Sequence, residues 1–340
     1  MKLIVLSQSD NYDVGGLVRY IIKMFEKNDI KELFEKSGFE IITSNYIREH
    51  TNYSEIEFIQ SIDKSEYDDY LIFGIHPYGL HTSIGSNNGI KKIAWINDPH
   101  YFAHYIEKNG ESVQKYSQKY DPLLIKDIDY LITPSPIYFK NLNIDKYDEK
   151  IIYFFYFLNE DFYHLTGNTE YKKRLDKIIL SGAVGGGYLS RIEFDRLREN
   201  EKFNELIYKV NHPGYNNNEH MTEIKYYNEL TKYKAAFVGH HEFPINFLLA
   251  KHIEVLMCGC LGFFEPNPLL SSELGLIESK HYVSCFDENG LIKDEDFYIK
   301  WMNSDEGEKI AENGKAYVRE KFGGKYIQEF ISFLIKVTKK

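Results

Sequence analysis

The amino-acid sequence predicts an α/β fold made of two doubly wound parallel sheets, each in its own domain. Short apolar strands alternate with segments of helical periodicity in two successive series, one in each half of the chain. The first series begins with a strand at residues 2–6 and continues through Gly15 and Gly16 into a helical pattern. The second begins with a strand at residues 177–180 and a glycine-rich turn at residues 181–187. A strand that runs through a glycine turn into a helix is typical of the start of a doubly wound sheet.

Apolar runs place the other strands and helices. Strands of the first domain are predicted at residues 39–43, 70–74, 92–96 and 130–133, the last of which is expected to close the sheet, and residues 151–157 form a further apolar run. Strands of the second domain are predicted at residues 205–210, 235–238, 261–264 and 282–284. Helices are predicted at residues 17–26, 226–231, 296–302, 306–321 and 326–337. Gly323 and Gly324 are expected to end the helix at 306–321, because glycine tolerates the left-handed conformation of a C-cap.

Composition restricts the classes of function. The formal net charge of −10 disfavours a nucleic-acid partner. No apolar run approaches the roughly 18 residues of a membrane span, and the first residues lack a signal-peptide cleavage region. We therefore expect no transmembrane segment and a cytoplasmic location. The three cysteines, Cys258, Cys260 and Cys285, lie in apolar sequence without metal-ligand spacing, and we expect buried thiols. The oligomeric state does not follow from the sequence.

The segment after the predicted strand at 235–238 has a distinctive order of residues. His240 and His241 are followed by a basic residue (Lys251), two spacers, a glutamate (Glu254) and a helix that ends in a cysteine–glycine turn. This arrangement resembles the nucleotide-sugar domain of GT-B glycosyltransferases, and is most similar to glycosyltransferase family 4. The resemblance extends over residues 226–333.

The resemblance implies a domain organisation. Residues 1–165 would form an N-terminal Rossmann-like domain on the acceptor side, and residues 175–322 a C-terminal Rossmann-like domain that binds the nucleotide sugar. The two domains would face each other across a cleft. Residues 323–340 would form a final helix that crosses back to the N-terminal domain.

The resemblance also implies roles for two residues of the second domain. The glutamate that matches Glu254 holds the ribose hydroxyls in the family, and a carboxylate can accept from both hydroxyls of a diol. The alternative is a surface glutamate near a helix start. The family's earlier glutamate, eight positions upstream, is Asn246 here. Asn246 can hydrogen-bond a sugar hydroxyl but has no charge, so the donor sugar and the retaining stereochemistry of the family do not carry over.

Cationic and small residues are candidates for the diphosphate. Small residues at 181–187, among them Gly186, allow backbone N–H groups to approach a phosphate, and Arg191 can hold two phosphate oxygens. Lys251 is a second cation for this role. His240 and His241 can donate to the phosphate or the sugar. The alternatives are a flexible turn, a solvated lysine and structural histidines.

A metal is a further possibility for the paired histidines, but no third ligand has suitable spacing. We expect neither a metal nor another cofactor, with the nucleoside diphosphate sugar acting as co-substrate.

Three features of the first domain complete the predicted site. Gly15 and Gly16 resemble the family's glycine loop and allow the backbone to pass close to the donor. Asp98 and His100 follow the strand at 92–96, at the sheet edge where doubly wound folds bind ligands. Either can act as the base that activates the acceptor hydroxyl. The alternative for Asp98 is a helix cap before a proline.

The leading hypothesis is a hexosyltransferase that moves a hexose or modified hexose from a UDP-sugar, or another nucleoside diphosphate sugar, to a hydroxyl on a glycan, lipid or small molecule. A nucleotide-sugar epimerase or hydrolase on the same fold is one alternative. A catalytically weak nucleotide- or glycan-binding module is another, because Asn246 replaces a glutamate. An NAD-dependent dehydrogenase is disfavoured, since no Gly-x-Gly-x-x-Gly follows the first strand.

Overall fold

A computed structural model describes residues 1–7, 25–75, 89–95, 103–108, 111–116, 128–134, 151–156, 158, 169–185, 187–210, 223–241 and 247–338. The chain divides into two compact units. One consists of Met1–Tyr156 with Ile327–Lys340, and the other of Phe157–Tyr326.

The first unit is built on a six-stranded parallel sheet. Its strands are β1 (Lys2–Ser7), β2 (Glu40–Thr43), β3 (Tyr70–Ile75), β4 (Lys91–Trp95), β7 (Tyr130–Thr133) and β8 (Ile151–Tyr153), with β5 (Ala103–Lys108) and β6 (Glu111–Tyr116) forming a separate antiparallel pair. The spatial order of the sheet is β2-β1-β3-β4-β7-β8. Leu3, Ile4 and Val5 are no more than 1% exposed, as expected for a parallel strand covered on both faces.

Helices of the first unit include several that periodicity alone did not predict. They are α1 (Asn28–Lys36), α2 (Ser44–His50) and α3 (Glu55–Ser61). Helix α3 begins with a capping box in which Ser54 and Glu57 satisfy each other's backbone N–H groups. The predicted helix at 17–26 lies almost entirely outside the described residues.

The last helix of the chain packs on the sheet of the first unit. The ring centroid of Phe330 lies 5.7 Å from that of Phe73, 5.5 Å from that of Trp95 and 5.4 Å from that of Phe154. Phe330 has no exposed surface. Edge-to-face and tilted rings at these separations attract each other beyond their burial.

The second unit contains a five-stranded parallel sheet. Its strands are β9 (Leu175–Leu180), β10 (Ile207–Lys209), β11 (Tyr233–Val238), β12 (Leu261–Phe264) and β13 (Val283–Ser284). The spatial order is β10-β9-β11-β12-β13. Its helices are α4 (Leu189–Arg196), α5 (Glu201–Leu206), α6 (Glu223–Leu230), α7 (Lys251–Met257), α8 (Pro268–Ser272), α9 (Glu295–Met302) and α10 (Asp305–Phe322), and helix α11 (Gly324–Thr338) ends the chain. The prediction of two parallel-sheet α/β domains is confirmed.

Two local predictions differ in detail from the structure. The strand predicted at 205–210 is present as Ile207–Lys209, but its first two residues, Glu205 and Leu206, form the end of helix α5. The side chain of Asn200 caps that helix by accepting from the Lys202 amide, and Phe203 and Leu206 are buried. The buried Leu206 extends the apolar run of the strand back into the helix, so the strand begins two residues later than predicted.

Gly323 does not adopt the left-handed conformation predicted for it. Its φ is −84° and its ψ is −150°, which is extended backbone, and helix α11 begins at the next residue. The two helices are therefore joined by a one-residue break, without a left-handed cap.

Two other findings concern composition. All three cysteines are buried and unpaired, which confirms that prediction. No helix in the described part of the chain combines the length and the apolar character that a membrane crossing requires.

Candidate functional site

The strand order of the second sheet creates a crevice at its carboxyl edge. From β9 the chain moves to β10 on one side, and the next strand, β11, lies on the other side of β9. The connections that follow β9 and β11 therefore leave the sheet in opposite directions, and such a switch point is where open α/β sheets bind ligands. The residues at this point are the turn after β9, helix α4, and Gly239, His240 and His241 after β11.

Arg191 is the most unusual residue at the switch point. It lies in the first turn of α4 and is only 2% exposed. Its Nη1 donates to the Ala183 carbonyl at 3.3 Å, and its Cζ lies 4.4 Å from the ring centroid of Tyr188. Among the described residues, the buried atoms Nε and Nη2 have no hydrogen-bond partner. Burial lowers the pKa of the guanidinium, which still remains charged.

A buried charge with unused donors is unfavourable unless an anion pairs with it. This unfavourable arrangement lies at the sheet edge where doubly wound folds in general bind ligands. The geometry of Arg191 therefore suits an anionic ligand with two acceptor oxygens.

Gly182 allows a second cation to approach Arg191. Its φ is +94°, and a Cβ at this position would lie 2.8 Å from Lys251 Cε and 3.0 Å from Arg191 Nη1. Only glycine adopts this conformation readily while leaving room for both side chains. Two cationic side chains, one from α4 and one from α7, thus meet at the turn after β9.

Lys251 is half-buried at the start of α7. Its Nζ donates to the Tyr226 hydroxyl at 3.1 Å, and that hydroxyl shares a 2.8 Å hydrogen bond with Ser181 Oγ. Burial lowers the pKa of Lys251 to about 8, with the charge of Glu254 acting in the opposite direction and that of Arg191 adding to the shift. The amine is therefore charged at neutral pH and titrates just above it.

Glu254 lies three residues after Lys251, on the same face of α7. It is 6% exposed, and its Oε1 accepts from the Tyr227 hydroxyl at 2.9 Å. The structure thus brings Arg191, Lys251 and Glu254 to one end of the second sheet.

His240 and His241 have different surroundings. The backbone N–H of His240 donates to Glu265 Oε2 at 3.2 Å, and His240 Nδ1 lies 2.8 Å from the same oxygen. The His241 ring stacks on Phe247 with centroids 4.7 Å apart and meets Tyr188 edge-on at 4.9 Å. His240 therefore faces a carboxylate at the switch point, whereas His241 is held between aromatic rings.

The remaining predicted site residues, Gly15, Gly16, Asp98, His100, Gly186 and Asn246, lie outside the described residues. Their predicted roles stay predictions. Within the part of the chain that is described, no group of three histidine, cysteine, aspartate or glutamate side chains is placed to hold a metal ion.

The sequence analysis missed several residues of this site. Glu265 follows the strand at 261–264 and could have been found as a polar residue at a strand end. Tyr188, Tyr226 and Tyr227 carry no such signal, because the chain contains 28 tyrosines.

Comparisons with known proteins identify the architecture. The sequence matches no protein-family model and no curated protein sequence. Among solved structures, this chain is similar to Anabaena HepE in complex with UDP-glucose, at 12% identity and a TM-score of 0.60, over 99% of this chain and 100% of that one.

The fold is GT-B.

Two further solved structures match over nearly the whole of both chains. Sucrose-phosphate synthase from Thermosynechococcus elongatus is 11% identical over 100% of both chains, with a TM-score of 0.57. An α-glucosyltransferase in complex with UDP-glucose and DNA containing an abasic site is 12% identical over 98% of both chains, with a TM-score of 0.56. At these identities the likeness establishes the GT-B fold, and the chemistry has to be argued from the site.

Proposed function

We propose that this protein is a GT-B glycosyltransferase that transfers a hexose or modified hexose from a UDP-sugar to a hydroxyl of a glycan, lipid or small molecule. The observation that carries the proposal is the buried guanidinium of Arg191 at the switch point of the second sheet, whose Nε and Nη2 have no hydrogen-bond partner in the described part of the chain. A diphosphate supplies the acceptor oxygens that these donors lack.

The arrangement of charge supports transfer from a diphosphate. Negative charge develops on the leaving diphosphate as the glycosidic bond breaks, and preorganised cations lower the energy of that state. Arg191 and Lys251 approach the same glycine from different helices, so both can contact one diphosphate. In this proposal they supply the positive charge without a metal.

Glu254 supports a nucleotide rather than a simple phosphate. Its carboxylate lies on the same helix face as Lys251 and is almost fully buried. We assign it to the ribose hydroxyls, which can donate to a carboxylate. We place His240 near the diphosphate or sugar.

Structural relatives favour UDP as the nucleotide. HepE and the α-glucosyltransferase are each seen with UDP-glucose. We extend this preference to the present chain, together with the similarity to glycosyltransferase family 4. Asp98 and His100 remain our candidates for the acceptor base and Asn246 for the donor sugar. A cytoplasmic location is consistent with three buried, unpaired thiols.

A ligand panel tests the donor site. UDP, GDP, dTDP, CMP and NAD are added separately to the protein, and the melting temperature is recorded. A ligand that binds only the folded state raises that temperature by mass action. We expect the largest rise with UDP. A panel in which no nucleoside diphosphate raises the melting temperature would contradict the proposal.

Turnover then separates transfer from the alternatives. The protein is incubated with UDP-glucose and candidate acceptors, with and without EDTA, and the products are analysed. UDP together with a new glycoside, in both conditions, indicates metal-independent transfer. UDP with free sugar indicates a hydrolase, an isomerised donor indicates an epimerase, and an unchanged donor that is nevertheless bound indicates a binding module.

A further inference from the structure

Helix α6 contributes two consecutive tyrosines that contact the donor-site residues of α7. Tyr226 hydrogen-bonds Lys251, and Tyr227 hydrogen-bonds Glu254. Consecutive side chains on a helix diverge by about 100°, whereas Lys251 and Glu254, three residues apart, share one face of α7. The two neighbouring tyrosines of α6 therefore contact two residues that lie on a single face of α7.

Tyr227 restrains the carboxylate of Glu254. The Tyr227 side chain is 1% exposed, and its single donor is used on Glu254 Oε1 at 2.9 Å. Desolvation, and then the nearby charge of Glu254, raise the pKa of the Tyr227 phenol well above its usual value, so the hydroxyl remains a donor at physiological pH. A carboxylate has about four acceptor sites, so Glu254 can also accept from donors of a ligand, and ribose hydroxyls are such donors.

Tyr226 restrains Lys251, the other of these two residues of α7. Its hydroxyl is held between Lys251 Nζ at 3.1 Å and Ser181 Oγ at 2.8 Å. Ser181 directly precedes Gly182, whose backbone lies against both Lys251 and Arg191. Tyr226 therefore connects the ammonium group to the turn that faces the diphosphate in the proposed function.

We infer that Tyr227 is a positioning residue that orients Glu254 toward the ribose hydroxyls of the nucleotide, and that Tyr226 is a positioning residue that orients Lys251 toward the diphosphate. Helix α6 would then set the preference for a ribonucleoside diphosphate over its deoxy and monophosphate analogues. This inference rests on the proposed function, because it assumes that a nucleoside diphosphate binds at this site.

The test removes single hydroxyls from the protein and single groups from the ligand. Affinities for UDP, 2′-deoxy-UDP, 3′-deoxy-UDP and UMP are measured by calorimetry on the wild type, Tyr227→Phe and Tyr226→Phe. Tyr233→Phe is the matched control, because it also removes a tyrosine hydroxyl. That hydroxyl donates to Glu229, which is not among the residues assigned to the nucleotide. Each preference is a ratio of two affinities for one variant, so a reduced fraction of folded protein cancels out.

The two variants are expected to lose different preferences. For the wild type we expect UDP to bind about tenfold more tightly than at least one deoxy analogue. Tyr227→Phe should reduce that ratio to about threefold or less and leave the UDP-to-UMP ratio unchanged. Tyr226→Phe should instead reduce the UDP-to-UMP ratio and leave the preference for UDP over the deoxy analogue unchanged. Tyr233→Phe should change neither ratio.

A Tyr227→Phe protein that keeps the wild-type ribose preference would overturn the inference for Glu254. Equal losses of both ratios in both variants would show a general structural role and overturn it as well. The proposed function fails separately, since it is contradicted when the wild type binds no UDP at all.

Discussion

The ammonium group of Lys251 lies over the ring of Tyr226, with Nζ 4.5 Å from the ring centroid. The same ammonium donates to the hydroxyl of that tyrosine. A ring face attracts a cation, but it replaces only part of the hydration that the cation loses on burial. This contact explains how a lysine with a pKa lowered to about 8 is still held in a defined position at neutral pH.

UDP affinity should therefore fall as the pH rises through about 8. Below this value Lys251 is charged in the ligand-free protein, and above it the amine is neutral and attracts the diphosphate less. We expect calorimetry to show a decline in UDP affinity between pH 7.5 and about 9.5. Lys251→Arg, which stays charged in this range, should remove most of the decline. An unchanged decline in Lys251→Arg would assign the titration to another group.

The contribution of Lys251 to the stability of the ligand-free protein should have the opposite dependence on pH. The folded pKa of Lys251, about 8, is below the ordinary value of 10.5, so the unfolded chain binds more protons between these values. The contribution of Lys251 to the free energy of unfolding therefore rises with pH across this window. Comparing denaturant unfolding of the wild type and Lys251→Arg at pH 7.5 and about 10 measures this contribution as the difference between their pH responses.

Replacing Arg191 with methionine should separate stability from binding. The substitution removes a buried charge whose Nε and Nη2 form no hydrogen bond to any described residue, and keeps most of the side-chain volume. We expect the free energy of unfolding of the ligand-free protein to rise by about 1 kcal/mol or more. We expect UDP affinity to fall by about 30-fold or more. Denaturant titration and calorimetry measure the two effects.

Arg196→Met is the matched control, because Arg196 is exposed on the same helix. It should leave both quantities nearly unchanged. A loss of stability in Arg191→Met would show that the guanidinium is satisfied in the free protein, and would weaken the case for an anion at this position.

Gly182→Ala and Gly290→Ala should differ in binding but not in backbone strain. Both glycines have positive φ, +94° and +75°, so either substitution is expected to lower the free energy of unfolding by about 1–3 kcal/mol. A Cβ at Gly182 would meet Lys251 and Arg191, whereas a Cβ at Gly290, which is remote in sequence from the proposed site, would have no described atom within 4 Å. UDP affinity should therefore fall in Gly182→Ala alone. Equal affinities in the two variants would contradict the proposed meeting of both cations at this turn.

Phe330→Ala should destabilise the first unit. The Phe330 ring is fully buried against Phe73, Trp95 and Phe154, and its removal leaves a cavity. We expect a loss of about 3–5 kcal/mol in the free energy of unfolding. Denaturant unfolding followed by tryptophan fluorescence measures it, since Trp95 is a neighbour of this ring. The adjacent Glu329 is exposed, so Glu329→Ala should change the value by no more than about 0.5 kcal/mol.

Parts of the fold could be predicted because their signal is local. The strands at 130–133 and 261–264 coincide with β7 and β12, since each is a short apolar run in a buried parallel sheet. The strand predicted at 205–210 is present but begins at Ile207, because Leu206 continues the apolar run although it lies in the last turn of helix α5. Helices α1 to α3 were not predicted, since their apolar faces are short.

Candidate site residues could be predicted only where they follow strand ends or match a family pattern. Arg191, His240, Lys251 and Glu254 were predicted in this way, and the structure places Arg191 and Lys251 at one glycine. Tyr227 was missed because nothing near it in the sequence indicates that its hydroxyl reaches Glu254, 27 residues away.

The order of apolar runs and glycine turns determined by itself that this chain forms two parallel-sheet domains, because strand burial and helical periodicity depend on neighbours within a few residues. Tertiary structure alone decided that Arg191 would be buried beside Lys251, and that two tyrosines of α6 would contact Lys251 and Glu254. Those contacts depend on how separate helices pack at the switch point of a sheet, and the distances between such helices are not encoded in any single segment.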